Sequence, residues 1–165
     1  MTMFRFLKGP LTVIGLAAAA IASATAPPPR LSNEEILCRA DLVVVGSSTG
    51  FHLVRLLEIP GLCKQFDPQA AHLDHCTAVE VTVQVEKVIY PRNRALASTI
   101  QYRFGGGLFS TARLREDLEG RRMIFHLVAD SEAPLGTYTT SYPWRLGMPE
   151  DFESRTKEIL EACAR

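Results

Sequence analysis

The chain has 165 residues, 47% of them hydrophobic, and its 18 basic residues are matched by 18 acidic ones. That is the size of one ordinary domain, with enough apolar content to build a core. With no basic surplus, no basic stripe and no block of like charges, the composition excludes the electrostatic footprint of a nucleic-acid binder.

The first residues follow the order of a secretory leader. Arg5 and Lys8 precede the apolar stretch "LTVIGLAAAAIASATA", and small residues close it. The run from Leu11 to Ala22 is shorter than the roughly 20 residues that a bilayer span requires. Cleavage is expected after Ala24, since the alternative exit at Ala26 leaves Pro27 just past the cut; an uncleaved membrane anchor is the competing reading. On the first reading, residues 1–24 are a signal peptide and 25–31, with "PPPR", are an extended lead-in. Residues 32–165 are then one domain with no stable membrane span, expected in the periplasm or outside the cell. Losing Arg5 and Lys8 leaves 16 basic against 18 acidic residues, a formal charge of −2.

Ser32 followed by Glu35 has the spacing of a capping box, and it predicts a short helix over Asn33 to Arg39. "DLVVVGSS" reads as a strand in which Gly46 marks a bulge or sharp bend, and "FHLVRLLEI" continues it or pairs beside it. In "TAVEVTVQVEKVIY", Val79, Val81, Val83 and Val85 alternate with polar residues, the period of a strand with one buried face. The alternation slips at Lys87–Ile89, as a bulge makes it slip. "STIQYRF" alternates again, with Ile100, Tyr102 and Phe104 on one face. The cluster Arg113, Arg115, Glu116, Asp117, Glu119, Arg121 and Arg122 reads as a solvated turn. "MIFHLV" is apolar at nearly every position and reads as a central strand, and "TYTTSY" as the last strand. In the tail, Pro149 and the acidic residues after it suit a helix start. Phe152, Thr156, Ile159, Leu160 and Cys163 then share one apolar stripe. About five strands with a helix at each end suggest a mainly β domain, a closed or nearly closed OB-type barrel, with a small sandwich as the competitor.

All four cysteines, Cys38, Cys63, Cys76 and Cys163, lie after the leader, and an even count in an exported chain suggests disulfides. Four cysteines allow three pairings, and sequence alone does not choose among them. The preferred set joins Cys38 to Cys163, which closes most of the chain, and Cys63 to Cys76, which pins the polar loop "KQFDPQAAHLDH" at its base.

Several residues invite a chemical reading. His72, Asp74 and His75 beside Cys63 and Cys76 carry donor types that bind zinc or a similar ion, though in no known finger spacing, and disulfides would consume the thiols. The bland alternative is a polar loop with exposed histidines. "FGGGLF" lacks the lysine of a phosphate-binding loop and reads as a glycine-rich strand end. His126 lacks a partner at a recognisable spacing and reads as a satisfied, partly buried histidine. Ser47, Ser48 and Thr49 sit in no Gly-x-Ser-x-Gly elbow. Tyr142, Trp144 and Arg145 are residue types favoured at interaction hot spots; the alternative is that Trp144 plugs a barrel end or packs on the last helix.

The stretch "CRADLVVVG" resembles the entry to the first strand of netrin-like domains, including tissue inhibitors of metalloproteinases, and "VEVTVQVEKVIYPRN" resembles their second strand. Exported bacterial proteins of unknown function have a similar run, matched here by "FGGGLF" and "GRRMIFHL". The resemblance implies an OB-type barrel with a terminal helix tied back by a disulfide. The inhibitors grip protease zinc through a cysteine at the mature N-terminus; this chain has none there, so the resemblance does not extend to zinc-chelating inhibition. The expected function is a non-catalytic binding module that needs no cofactor and meets a protein or peptide partner. A periplasmic metal-binding protein using the 63–76 loop and an unrecognised hydrolase are the alternatives.

Overall fold

The computed structural model describes residues 30–91, 96–105, 109–131, 133–142 and 144–163. The expected leader, most of the lead-in, and Gly106, Gly107 and Leu108 of "FGGGLF" lie outside these residues. Among the described residues no helix is long and apolar enough to cross a membrane.

Helix α1 (Asn33–Cys38) starts where its cap dictates. The Ser32 hydroxyl accepts the Glu35 N–H at 3.2 Å, and the Glu35 carboxylate accepts the Ser32 N–H at 2.8 Å. Two otherwise orphaned donors are thereby satisfied. Ile36 and Leu37 turn inward. Strand β1 (Leu42–Arg55) then runs for 14 residues, so "FHLVR" continues the first strand rather than forming a second.

Strand β2 (Thr77–Tyr90) pairs antiparallel with β1. Val45 lies opposite Lys87 but Gly46 opposite Val85, and Val44 opposite Val88 but Val43 opposite Tyr90. Glu86 and Ile89 are therefore the extra residues of two bulges, at the place where the valine alternation slips. Gly46 faces this irregularity. A Cβ there would stand 2.5 Å from the Gln84 carbonyl oxygen, a backbone atom that cannot swing away.

Strand β3 (Thr99–Gly105) pairs antiparallel with β2 and parallel with β5 (Thr137–Thr140). Strand β4 (Arg122–Ala129) lies antiparallel between β5 and β1. The order β1-β2-β3-β5-β4 thus returns to β1 and closes the sheet, which leaves no free sheet edge at the closure.

Alternate residues of β1 and β4 serve two different cores. Leu42, Val44, Phe125 and Leu127 point into the barrel with Val79, Val81, Val83, Ile100, Tyr102 and Phe104. Val43, Val45 and Ile124 point outward and are covered by Ile36 and Leu37 of α1 and by Ile159 and Leu160 of the last helix. This two-sided burial is why "LVVV" and "MIFHLV" are apolar without alternation. Each fully buried valine or leucine contributes roughly 1.5–3 kcal/mol relative to exposure.

The charged segment read as a solvated turn is instead helix α2 (Thr111–Leu118). Ser110 caps it, Leu114 and Leu118 bury one face in the barrel core, and its charges pair along the outer face, Arg113 with Asp117 at 3.0 Å. Ser48 holds the helix end: it is buried, its hydroxyl donates to the Leu118 carbonyl, and its own carbonyl accepts the Gly120 N–H at 2.8 Å.

A short 3₁₀ turn (Glu150–Phe152) leads into α3 (Glu153–Cys163), with Thr156, Ile159 and Leu160 buried. Cys163 is exposed, not on the buried stripe, because it reaches to Cys38, itself exposed, rather than in towards the core. It is bonded to Cys38 with a Cα separation of 5.5 Å, which ties α3 to α1; Cys63 is bonded to Cys76 at 5.6 Å.

Candidate functional site

The strand register brings three connections to one end of the barrel. Arg55 ends β1 opposite Thr77, Ala78 lies opposite Gly105, and β5 runs parallel to β3. The loop 56–76, the stretch holding α2, and the segment 141–149 all leave from there.

Segment 141–149 turns back onto β4. The Met148 N–H donates to the Ile124 carbonyl at 2.9 Å, and the Ile124 N–H to the Met148 carbonyl at 2.8 Å. Gly147 permits this approach, since a Cβ would meet the Met123 sulfur at 2.5 Å and the Ile124 carbonyl oxygen at 3.0 Å. Between this segment, the start of β4 and the end of α2 lies an open groove of about 450 Å³. Met123, Leu146 and Met148 form its apolar floor, and Asp117, Arg121, Arg122, Trp144 and Arg145 surround it. Trp144 is 58% exposed, so it does not plug the barrel. Its ring tilts against Phe109 with centroids 5.7 Å apart, and Phe109 meets Phe104 edge-on at 5.2 Å. An aromatic run thus holds an exposed indole over the groove.

The charges around the groove are unevenly compensated. Arg122 pairs with Glu86 at 2.8 Å and with Glu150, and Asp117 is held by Arg113. The Arg121 guanidinium instead donates to the Glu116 carbonyl at 3.2 Å, and that of Arg145 to the side-chain carbonyl of Asn33. Both of these partners are neutral.

Of the three residues grouped by type, the groove takes Trp144 and Arg145 but not Tyr142, which packs on the outer core under the helices. Sequence reading missed Asp117, Arg121 and Arg122 because it placed them in a solvated turn. The helix signal was present in Ser110 as a cap and in Leu114 and Leu118 four residues apart.

Among the described residues no group of three His, Cys, Asp or Glu side chains is placed to hold an ion. His72 and His75 are exposed, and the Cys63 and Cys76 thiols are spent on a disulfide. The Asp74 carboxylate is committed to structure. It accepts the Thr77 hydroxyl at 2.7 Å and the backbone N–H groups of Cys76 at 2.9 Å and Lys64 at 3.3 Å. The Thr77 hydroxyl is the leading cause holding this carboxyl below its ordinary pKa.

His126 is fully buried, on the outer face of β4. Its Nδ1 faces the Ser141 hydroxyl at 2.9 Å and the Thr140 hydroxyl at 3.2 Å. Ser141 donates its own proton to the Ile36 carbonyl at 3.0 Å, which assigns the imidazole proton to Nδ1. Nε2 is left buried without a partner. Burial first, and the Arg145 charge second, pull the pKa down to about 4. Sealed from solvent, this imidazole is not placed to meet a substrate.

No family model matches the chain, and no curated protein matches it.

Proposed function

We propose that this protein is an exported, non-catalytic binding module built on an OB-type, netrin-like barrel, and that it binds a protein or peptide partner through the groove beneath Trp144. Support for the barrel type comes from its topology. Strands β1, β2 and β3 follow one another, and β4 returns beside β1, the Greek-key order that five-stranded OB barrels share. Support for export comes from two disulfides, which persist in oxidising compartments. The observation that carries the binding role is the exposed indole over an apolar floor. A large aromatic surface costs free energy when left in water and is used where a partner covers it.

The test is selection of peptide binders from a random display library on the oxidised protein, followed by Trp144→Ala. The selected binders are expected to lose at least tenfold in affinity, with thermal unfolding unchanged. Binders indifferent to Trp144 throughout would place the binding surface elsewhere.

A further inference from the structure

Resting on that reading of the groove, we propose that its ligand is an extended acidic peptide segment, in which an aliphatic side chain lies between two carboxylates. The floor of Met123 and Leu146, both partly buried, with Trp144 above it, suits one unbranched or branched aliphatic side chain. The rim supplies two guanidiniums, Arg121 and Arg145, whose present partners are neutral oxygens. A carboxylate is a better acceptor than either partner, because a charged acceptor shortens and strengthens the bond and matches the guanidinium fork. Arg122 adds no such site, since Glu86 and Glu150 already occupy it.

The same surroundings argue against a polyanion. Asp117 lines the groove and Arg122 is already paired with Glu86 and Glu150, so the free cationic points along it are not continuous. Single-stranded nucleic acid is held by a positively charged groove that tracks its backbone, and two isolated cations do not make one. A short peptide needs charge only at the two points where the rim provides it.

The experiment uses the oxidised protein and three blocked heptapeptides of defined sequence, Gly-Glu-Gly-Leu-Gly-Asp-Gly, Gly-Gln-Gly-Leu-Gly-Asn-Gly and Gly-Lys-Gly-Leu-Gly-Lys-Gly, in which alternate side chains share one face of an extended chain, with a ten-nucleotide oligothymidine as the polyanion control. Binding is read by the Trp144 fluorescence of the folded chain and by calorimetry. The acidic peptide is expected to bind about tenfold tighter than the neutral one at low salt, as two partly shielded ion pairs allow. That preference should shrink as salt shortens the screening length, and fall to about twofold in Arg121→Gln/Arg145→Gln. Trp144→Ala should weaken acidic and neutral peptides alike. If acidic and neutral peptides bind equally and both need Trp144, the groove stands and the acidic preference is wrong. Tighter binding of the oligonucleotide, or no binding of the acidic peptide at millimolar concentration, also overturns it.

Discussion

Burial of His126 ties the stability of this protein to pH. Its pKa is about 4 in the folded chain against 6.5 for the free side chain, so between those values the unfolded chain takes up a proton that the folded chain refuses. Stability therefore falls as pH drops through that window, by about 2–3 kcal/mol between pH 7 and pH 4.5. Carboxyl groups held low by their partners, Glu153 at about 2 under Lys157 and Lys87 among them, begin to add to the loss only near their ordinary value of 4.5, so the upper part of the window belongs to the histidine. Urea unfolding at the two pH values should show the loss in the native sequence and little of it in His126→Leu; an equal slope in both would refute the assignment. Nothing in "MIFHLV" announces this group. The sequence shows a histidine on a buried strand, but the hydroxyls that face it come from Thr140 and Ser141, fourteen and fifteen residues further along. Tyr142 and Cys163 teach the same point in reverse, since residue type and helical spacing misplaced one inside the interaction surface and the other on the buried stripe.

Elements with a single wet face were legible from periodicity alone. Strands β2 and β3 alternate because the barrel interior takes every second side chain, and even the bulges of β2 show as a broken alternation. Strands β1 and β4 announce themselves by the absence of alternation, which burial under helices explains. Helix α2 was hidden because all five residues from Arg113 to Glu119 other than Leu114 and Leu118 are charged; charge dominates the window, and two leucines carry the packing. Leu118 is completely buried. Leu118→Ala should therefore cost about 2–5 kcal/mol in urea unfolding, as expected for truncation in a packed core. A solvated turn would lose less than about 0.5 kcal/mol from the same change.

At the scale of the whole molecule, closure of the sheet depends on the pairing of β3 with β5, a parallel contact between strands separated by a helix and a strand. No local pattern encodes it, and composition could suggest a barrel without fixing the strand order. The groove was legible only in part for the same reason, since α2, β4 and the 141–149 segment contribute side chains that meet only after closure. The two disulfides act on this scale as well. Cys38–Cys163 spans 125 positions and Cys63–Cys76 spans 13. In the chain-entropy account the double serine replacement of the first pair should lower the unfolding free energy by roughly 4–5 kcal/mol, and that of the second by roughly 3 kcal/mol. Denaturant titration of the two variants checks the order; a larger loss from the short loop would contradict it. The long bridge also makes the polypeptide between residues 38 and 163 a covalent ring. One protease cut within the exposed 56–62 stretch opens that ring without dividing it. The nicked protein should travel as a single species on a gel run without thiols, and separate into two fragments only when a reductant is added.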